Sequence, residues 1–496
     1  MEKISCKDVD FTYPASEYPA LTNVTFTIES GELCLVMGES AAGKSTLLKL
    51  LKKEIAPAGN LRGKIVVNGT VGYVAQNVDE NIVCNKVRSE LSFGLSNMGL
   101  SGESIELLVA ETASYFNLED KLDFDISSLS GGEKQMVNLA AVMIMKPDIL
   151  VLDEPTSQLD PVSSERFINM IKKLHRDFSM TIIMSEHRTD SLFGYADIVI
   201  FMSKGKMLYS SSPKSLVDYL VESKSEMLNA VPVQMRLFKG ASTVKQCRER
   251  LKGKTINLSS CKVKKLDVIV DVKNVCFAYK KGIDVLNSLS LKVYKGKINA
   301  VVGPNSGGKS TLLKTIAGVN KHYRGKIRIN GKVSMLCQNV YDLFTKEKCA
   351  DEVDFGDITA FLAIDDIKEQ HPYDLSGGQA QRLALAKVLS TAADIILLDE
   401  PTKGFDPVLK KKLALILKEL CSQGKTVLIV SHDIEFVGEY SDYVSFLSRG
   451  KIINTAPRRA FFSSLNFYTT AVSKITNGIS DGIVSVTDLK NAGGLQ

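Results

Sequence analysis

Two kinds of hydrophobic pattern alternate along this chain and then recur. Residues 4–11 and 21–28, and again 272–277 and 286–293, alternate apolar with polar side chains. A period of two marks a half-buried strand, and the turn-rich Tyr13-Pro14-Ala15-Ser16 predicts an antiparallel pair at the start of each half. Residues 33–37, 149–152 and 181–184, and later 298–302, 395–398 and 426–430, are almost unbroken apolar runs. Such runs predict parallel strands covered on both faces. Within 77–128, Leu91, Phe93, Leu95, Leu107, Leu108 and Phe116 recur as in amphipathic helices standing off the sheet; the matching stretch 339–374 is shorter.

The recurrence is a duplication. Lys44 and Lys309 stand 265 residues apart, Gln76 and Gln338 262, while Ser130 and Ser376, like Asp153 and Asp399, stand 246 apart. A period of roughly 250 residues means duplicated domains rather than a solenoid of short units. The offset falls after the glutamine, so the second copy is shortened there. These spacings predict domains at 1–222 and 267–470, a connector at 223–266 and a tail at 471–496. The connector, with Lys224, Lys239, Lys245, Arg248, Arg250, Lys252 and Lys254, reads as a solvated basic segment with a short helix.

Each half holds the parts of a phosphate site. Gly38-Glu-Ser-Ala-Ala-Gly43-Lys44-Ser45 and Gly303-Pro-Asn-Ser-Gly-Gly308-Lys309-Ser310 fit GxxxxGK[ST] between a predicted strand and helix, with Thr46 and Thr311 next in line. Consecutive N–H groups in such a loop wrap phosphate oxygens, the lysine meets the outer phosphates, and the hydroxyl of Ser45 or Ser310 ligates Mg²⁺. Gln76 and Gln338 end strands and can ligate Mg²⁺ or orient water. Asp153 and Asp399 can hold Mg²⁺, and Glu154 and Glu400 stand where a base orients an attacking water. His187 and His432, two of only five histidines, follow the next strands within reach of a terminal phosphate. Ser130, Gly131 and Gly132, and Ser376, Gly377 and Gly378, each open a helix whose free N–H groups suit an anion. Tyr13 and Tyr279 lie in equivalent turns and can stack on a base.

Taken together these motifs make the chain resemble a tandem ATP-binding cassette (ABC) ATPase. The resemblance implies an α/β fold of two P-loop NTPase cassettes, each with a RecA-like core, an antiparallel β subdomain and a helical subdomain. It also implies ATP with Mg²⁺ and cassettes paired within one chain. Lys44, Ser45, Asp153, Glu154 and His187 would then share one ATP with Ser376–Gly378, and Lys309, Ser310, Asp399, Glu400 and His432 the other with Ser130–Gly132. Ala41 and Ser306 stand where the family often has glycine, Met136 replaces the arginine that Arg382 supplies, and the loops 157–160 and 403–406 differ from the usual Ser-Ala-Leu-Asp. None of these removes a phosphate-, metal- or water-orienting group.

More narrowly, VGYVAQNVDENIVCNKVRSELSFGLSNMGL, QNVYDLFTKEKC, PTKGFD and FFSSLNFYTTAV resemble the ATPases of energy-coupling factor (ECF) importers. That implies the energising subunit of vitamin, vitamin-precursor or transition-metal uptake. Such a subunit sits peripherally on the cytoplasmic face of the cell membrane, with a transmembrane coupling subunit and a small membrane substrate-binding subunit. The alternative is a soluble tandem ABC ATPase acting on ribosomes or nucleic acid; those carry a longer, more strongly charged linker. A net charge of +6 over 496 residues is too small to argue for nucleic acid, so none is expected. Nine cysteines with no CxxC pair suggest neither zinc nor disulfides. No apolar run is long enough to span a bilayer and the first nine residues form no signal core, so the expectation is a chain that stays inside the cell.

Overall fold

The computed structural model describes residues 1–493 apart from 15, 17, 188, 190, 191, 239, 240, 242, 253–265, 281, 306, 467 and 481. Ala15, Lys239, Lys254 and Ser306 therefore lie outside the described residues. The chain divides into two compact units, Met1–Pro232 and Val233–Gln496.

In the first unit nine strands form one sheet. Its parallel part runs Ile198–Ser203, Leu33–Gly38, Thr181–Ser185, Ile149–Asp153, Val71–Val74 in order of neighbours. Every residue of Leu33–Gly38, Ile149–Asp153 and Thr181–Ser185 is buried, as unbroken apolar runs require. Glu2–Thr12 pairs antiparallel with both Leu21–Glu29 and Asn60–Val67. Its alternate residues Ile4, Cys6, Val9 and Phe11 enter the core. The parallel register sets Val36, Ser185 and Asp153 in one row, so the loops that leave these strands share an edge of the sheet. That edge carries the site.

The second unit repeats the plan in two sheets. Leu286–Tyr294, Val268–Phe277 and Arg324–Ile329 form an antiparallel sheet. Val333–Leu336, Ile395–Asp399, Thr426–Val430, Ile298–Val302, Tyr443–Ser448 and Lys451–Pro457 form the other, parallel except for the last strand.

The long insert of the first unit holds the helices Val87–Asn97 and Gly102–Phe116. Leu91, Leu95 and Phe116 are buried, whereas Phe93 and Leu107 are 42% and 71% exposed, so the apolar stripe is wider than the surface it covers. The second insert is cut to the short helices Cys349–Glu352 and Asp357–Phe361. The stretches read as connector and tail share a core of their own. Val244–Leu251 packs Cys247 and Leu251 against Val472, Ile475 and Leu489, with Phe238 completing the cluster. The apolar residues 244, 247 and 251 recur at helical spacing among arginines and lysines that mask them in a composition count. No helix among the described residues is long and apolar enough to cross a membrane.

Candidate active site

Each glycine-rich loop is built to bring backbone close. A side chain at Gly38 would meet the Met202 carbonyl at 2.2 Å and one at Gly303 the Leu447 carbonyl at 2.0 Å, with φ of +156° and +152°. The helices Lys44–Leu50 and Lys309–Ile316 begin directly after Gly43 and Gly308, both left-handed, and a helix start of this kind directs N–H groups at an anion. Lys44 donates to the carbonyls of Gly38 and Glu39 at 3.1 and 2.9 Å, and Lys309 to those of Gly303 and Pro304 at 3.1 and 3.0 Å. Both lysines are buried. Each ammonium is thereby folded back over its loop, around the space a phosphate would fill.

In the first unit the predicted residues converge on two adjacent carboxylates. Asp153 accepts from Ser45 at 3.0 Å, Ser185 at 2.8 Å and the Tyr73 hydroxyl at 3.2 Å. Glu154 accepts from Gln76 at 2.9 Å, meets His187 Nε2 at 2.8 Å and lies 3.9 Å from Lys44. Burial pushes the Glu154 carboxyl up, but the His187 and Lys44 cations outweigh it and hold it down at about 2. Burial and the neighbouring Glu154 charge raise Asp153, against its three hydroxyl donors. The pair is therefore one firmly ionised carboxylate beside one that a cation would relieve.

The second unit assembles the same groups differently. His432 meets Glu400 through Nδ1 at 2.7 Å, whereas His187 uses Nε2. His187 and His432 stand at equivalent places, six residues after Thr181 and Thr426, so the two rings differ in orientation and not in spacing. Ser431, at the place of Glu186, donates to Glu400 at 3.3 Å, and Val430 stands where Ser185 serves Asp153. Met335 stands in place of Tyr73. Asp399 is 1% exposed, and among the described residues neither of its oxygens has a hydrogen-bond partner within bonding geometry, although the Ser310 hydroxyl beside it works against the rise in its pKa. Burial raises it to about 6. A buried carboxylate left so is a site for a cation. Gln338 is exposed, with no hydrogen bond to Glu400 recorded among the described residues.

Tyr13 and Tyr279 each stand edge-on to the last phenylalanine of the preceding strand, Phe11 at 5.0 Å and Phe277 at 4.8 Å. Their hydroxyls meet Thr46 at 3.0 Å and Thr311 at 3.4 Å. Both rings are at least a third exposed beside the loop, placed to take a base. Ser130 and Ser376 cap the helices Gly131–Met143 and Gly377–Leu389 in reciprocal boxes with Glu133 and Gln379. Within its own unit neither cap has a recorded bond to the lysine or carboxylates. Sequence reasoning missed Tyr73, Ser185 and Ser431. Their signal was position alone, three residues before Gln76 and at the ends of the strands preceding the histidines.

The model of the ABC transporter family matches residues 21–157 and 286–403. A protein of Bacillus thuringiensis described as a putative ABC transporter ATP-binding protein is 35% identical over 94% of each chain. The chain belongs to the ABC family. Solved ABC structures resemble it from end to end. The archaeal ribosome recycling factor aABCE1, in complex with the ribosomal stalk protein aP1, matches over 98% of each chain with a TM-score of 0.63 and 21% identity. ABCE1 from a model of ribosome-bound archaeal Pelota and ABCE1 gives 0.66 at 21% identity, over 91% of this chain and 79% of that one. At such identity the likeness is one of fold.

This corrects the importer expectation. The two solved structures named above are a ribosome recycling factor with a ribosomal stalk protein and an ABCE1 from a ribosome-bound complex with Pelota. The ECF role, its transmembrane coupling subunit, its membrane substrate-binding subunit and the exclusion of nucleic acid are withdrawn. The ECF wording lay in the strand, insert and tail segments around the site, which carry no chemical group specific to import. The chemistry of the ABC assignment, two sets of ATPase residues, stands apart from it.

Proposed function

We propose that this chain is a Mg²⁺-dependent ATPase that acts on ribosomes. The observation carrying the reading is the end-to-end likeness to the tandem-cassette ribosome recycling factor. Two sets of hydrolytic groups support the ATPase part. Ser45, Gln76 and Asp153, and Ser310, Gln338 and Asp399, would hold Mg²⁺; the orphaned oxygens of buried Asp399 fit that role. When bound, Mg²⁺ neutralises charge on the outer phosphates. Lys44 and Lys309 meet those phosphates, and the helix caps at Ser130–Gly132 and Ser376–Gly378 offer N–H groups to nucleotide. Glu154 and Glu400, kept ionised by His187 and His432, accept a proton of the attacking water and orient it.

The test is sedimentation. Purified chain carrying Glu154→Gln and Glu400→Gln, loaded with ATP, is layered with purified ribosomes on a gradient. Co-migration with ribosomal particles in ATP, lost in ADP, is the expected result. A chain that stays at the top in both nucleotides overturns the ribosome reading while leaving the ATPase measurable separately.

A further inference from the structure

We infer that the outward face of the second unit's antiparallel sheet binds single-stranded RNA, an inference that rests on the ribosome reading above. In Arg324–Ile329 the side chains of Ile327 and Ile329 pack on the core. Arg324, Lys326 and Arg328 therefore share the opposite face, about 7 Å apart along the strand. The register sets Lys326 opposite Lys273 and Arg328 opposite Asp271, which in turn faces Lys292. Five cations thus share this face with one carboxylate, and Lys273 already pairs with it at 3.1 Å.

Tyr323, directly before this row, is 63% exposed. Its hydroxyl donates to the Asp284 carboxylate, 2.6 and 2.7 Å from the two oxygens, which holds the exposed ring in place beside the first residue of the strand.

Charged side chains on an edge strand often serve only to block pairing with another sheet. The first unit shows how few that needs. Its edge strand Asn60–Val67 carries Arg62 and Lys64, with Lys7 opposite Lys64. Leu61 stands at the place of Tyr323, Val66 at that of Arg328, and Thr27 at that of Lys292. The second unit has added two cations and an aromatic platform to a fold that does without them. Arginine forks match phosphate oxygens, and a pinned ring stacks on a base. A bilayer would use neither the fork geometry nor the platform, and the three outward side chains of the edge strand include none that is apolar.

The test measures anisotropy of a labelled oligouridine of about 12 nucleotides with the full chain, alongside phosphatidylglycerol vesicles. Arg324→Gln, Lys326→Gln and Arg328→Gln together should weaken RNA binding at least tenfold at low salt. Losing three phosphate contacts at about 0.7 each should also flatten the slope of log affinity against log salt by about 2. Tyr323→Ala should weaken binding about fivefold or more with the slope unchanged. ATP turnover should stay as in the unaltered chain, and Arg62→Gln with Lys64→Gln should change RNA binding less than twofold. RNA affinity unmoved by the triple substitution, or binding to vesicles and not RNA, overturns the inference. Ribosome sedimentation separates the two readings. If the triple substitution leaves RNA affinity unmoved while the chain still co-sediments with ribosomes, the face is not an RNA surface and the ribosome function survives. If face-dependent RNA binding occurs in a chain that never sediments with ribosomes, the face stands and the function falls.

Discussion

Glu154 and Glu400 both hold φ in the left-handed region, at +43° and +50°, although neither is glycine. Each stands at the end of a buried strand with its N–H bonded across the sheet, Glu154 to Ser185 and Glu400 to Val430, so the neighbouring strand imposes the conformation. Such strain costs on the order of 1–3 kcal/mol and aims each carboxylate at its histidine instead of along the strand. Ala41, in the first glycine-rich loop, is left-handed too, at +63°. Ala41→Gly should relieve that strain, offset in part by a freer unfolded chain, for a net gain of about 0.5–1 kcal/mol. A thermal melt without nucleotide would check it; a lower melting temperature would mean the alanine methyl packs where the strain argument sees none. The site was largely legible at this scale because its residues come as strings, a loop with fixed glycines or an acidic pair after an apolar run. Tyr73 and Ser185 were not legible, since a lone hydroxyl becomes a ligand of Asp153 only when the register sets 153 beside 185 and 151 beside 73. The different bonding of His187 and His432 was hidden likewise: both follow their strand threonine by six residues, and equal spacing does not say which ring nitrogen faces the glutamate.

Among the elements, both helical inserts are tied down by a buried glutamate that the hydrophobic pattern gave no reason to single out. Glu90 accepts from the N–H groups of Val83 and Cys84 at 3.1 and 2.7 Å. Glu352 accepts from those of Thr345 and Lys346 and pairs with Lys387. Each fastens the loop that follows Gln76 or Gln338 to a helix of the insert. Burial pushes the Glu352 carboxyl up, but the Lys387 bond and the two N–H donors outweigh it and hold it below the ordinary carboxylate range. A carboxyl depressed in the folded state adds stability above its unfolded value, about 4.3, and that stability is lost as pH falls through the lower folded value. Glu352→Gln should therefore cost about 2 kcal/mol at pH 7, by weakening the loop bonds and leaving Lys387 half-paired. The gap between variant and unaltered chain should close below about pH 4, which melts across a pH series would read. A gap that stays constant with pH would mean that packing, not charge, makes the difference. The inserts also mark where pattern reading overreached: Phe93 and Leu107 lie on the predicted apolar face yet stay open to solvent, because helical period reports a stripe and not what covers it.

For the whole molecule, the two units have separate cores, and the second closes on a latch made from both ends of its sequence. Asp488, 1% exposed, accepts from Arg458 Nη2 at 3.0 and 3.1 Å and from Arg459 Nε and Nη2 at 3.0 and 2.7 Å. Arg458 also donates to the carbonyls of Gly438 and Glu439, at the end of the helix Ile434–Tyr440 that begins two residues after His432. Arg248, before the second cassette begins, donates to the Lys474 carbonyl at 2.7 Å. Connector, tail and histidine segment are thus one bonded group. The duplicated pattern could not announce it, because nothing in the first unit repeats it. Asp488→Ala would leave two guanidinium groups facing a buried hole, and breaking a buried pair on one side costs about 3–5 kcal/mol. Since the latch belongs to Val233–Gln496 alone, calorimetry should show a single transition moving to lower temperature while that of Met1–Pro232 stays in place. Asp488→Asn, which keeps the shape and part of the hydrogen bonding, should recover a fraction of the loss. If both transitions fall together, the units unfold as one, and the separate cores do not set the cooperativity of the chain.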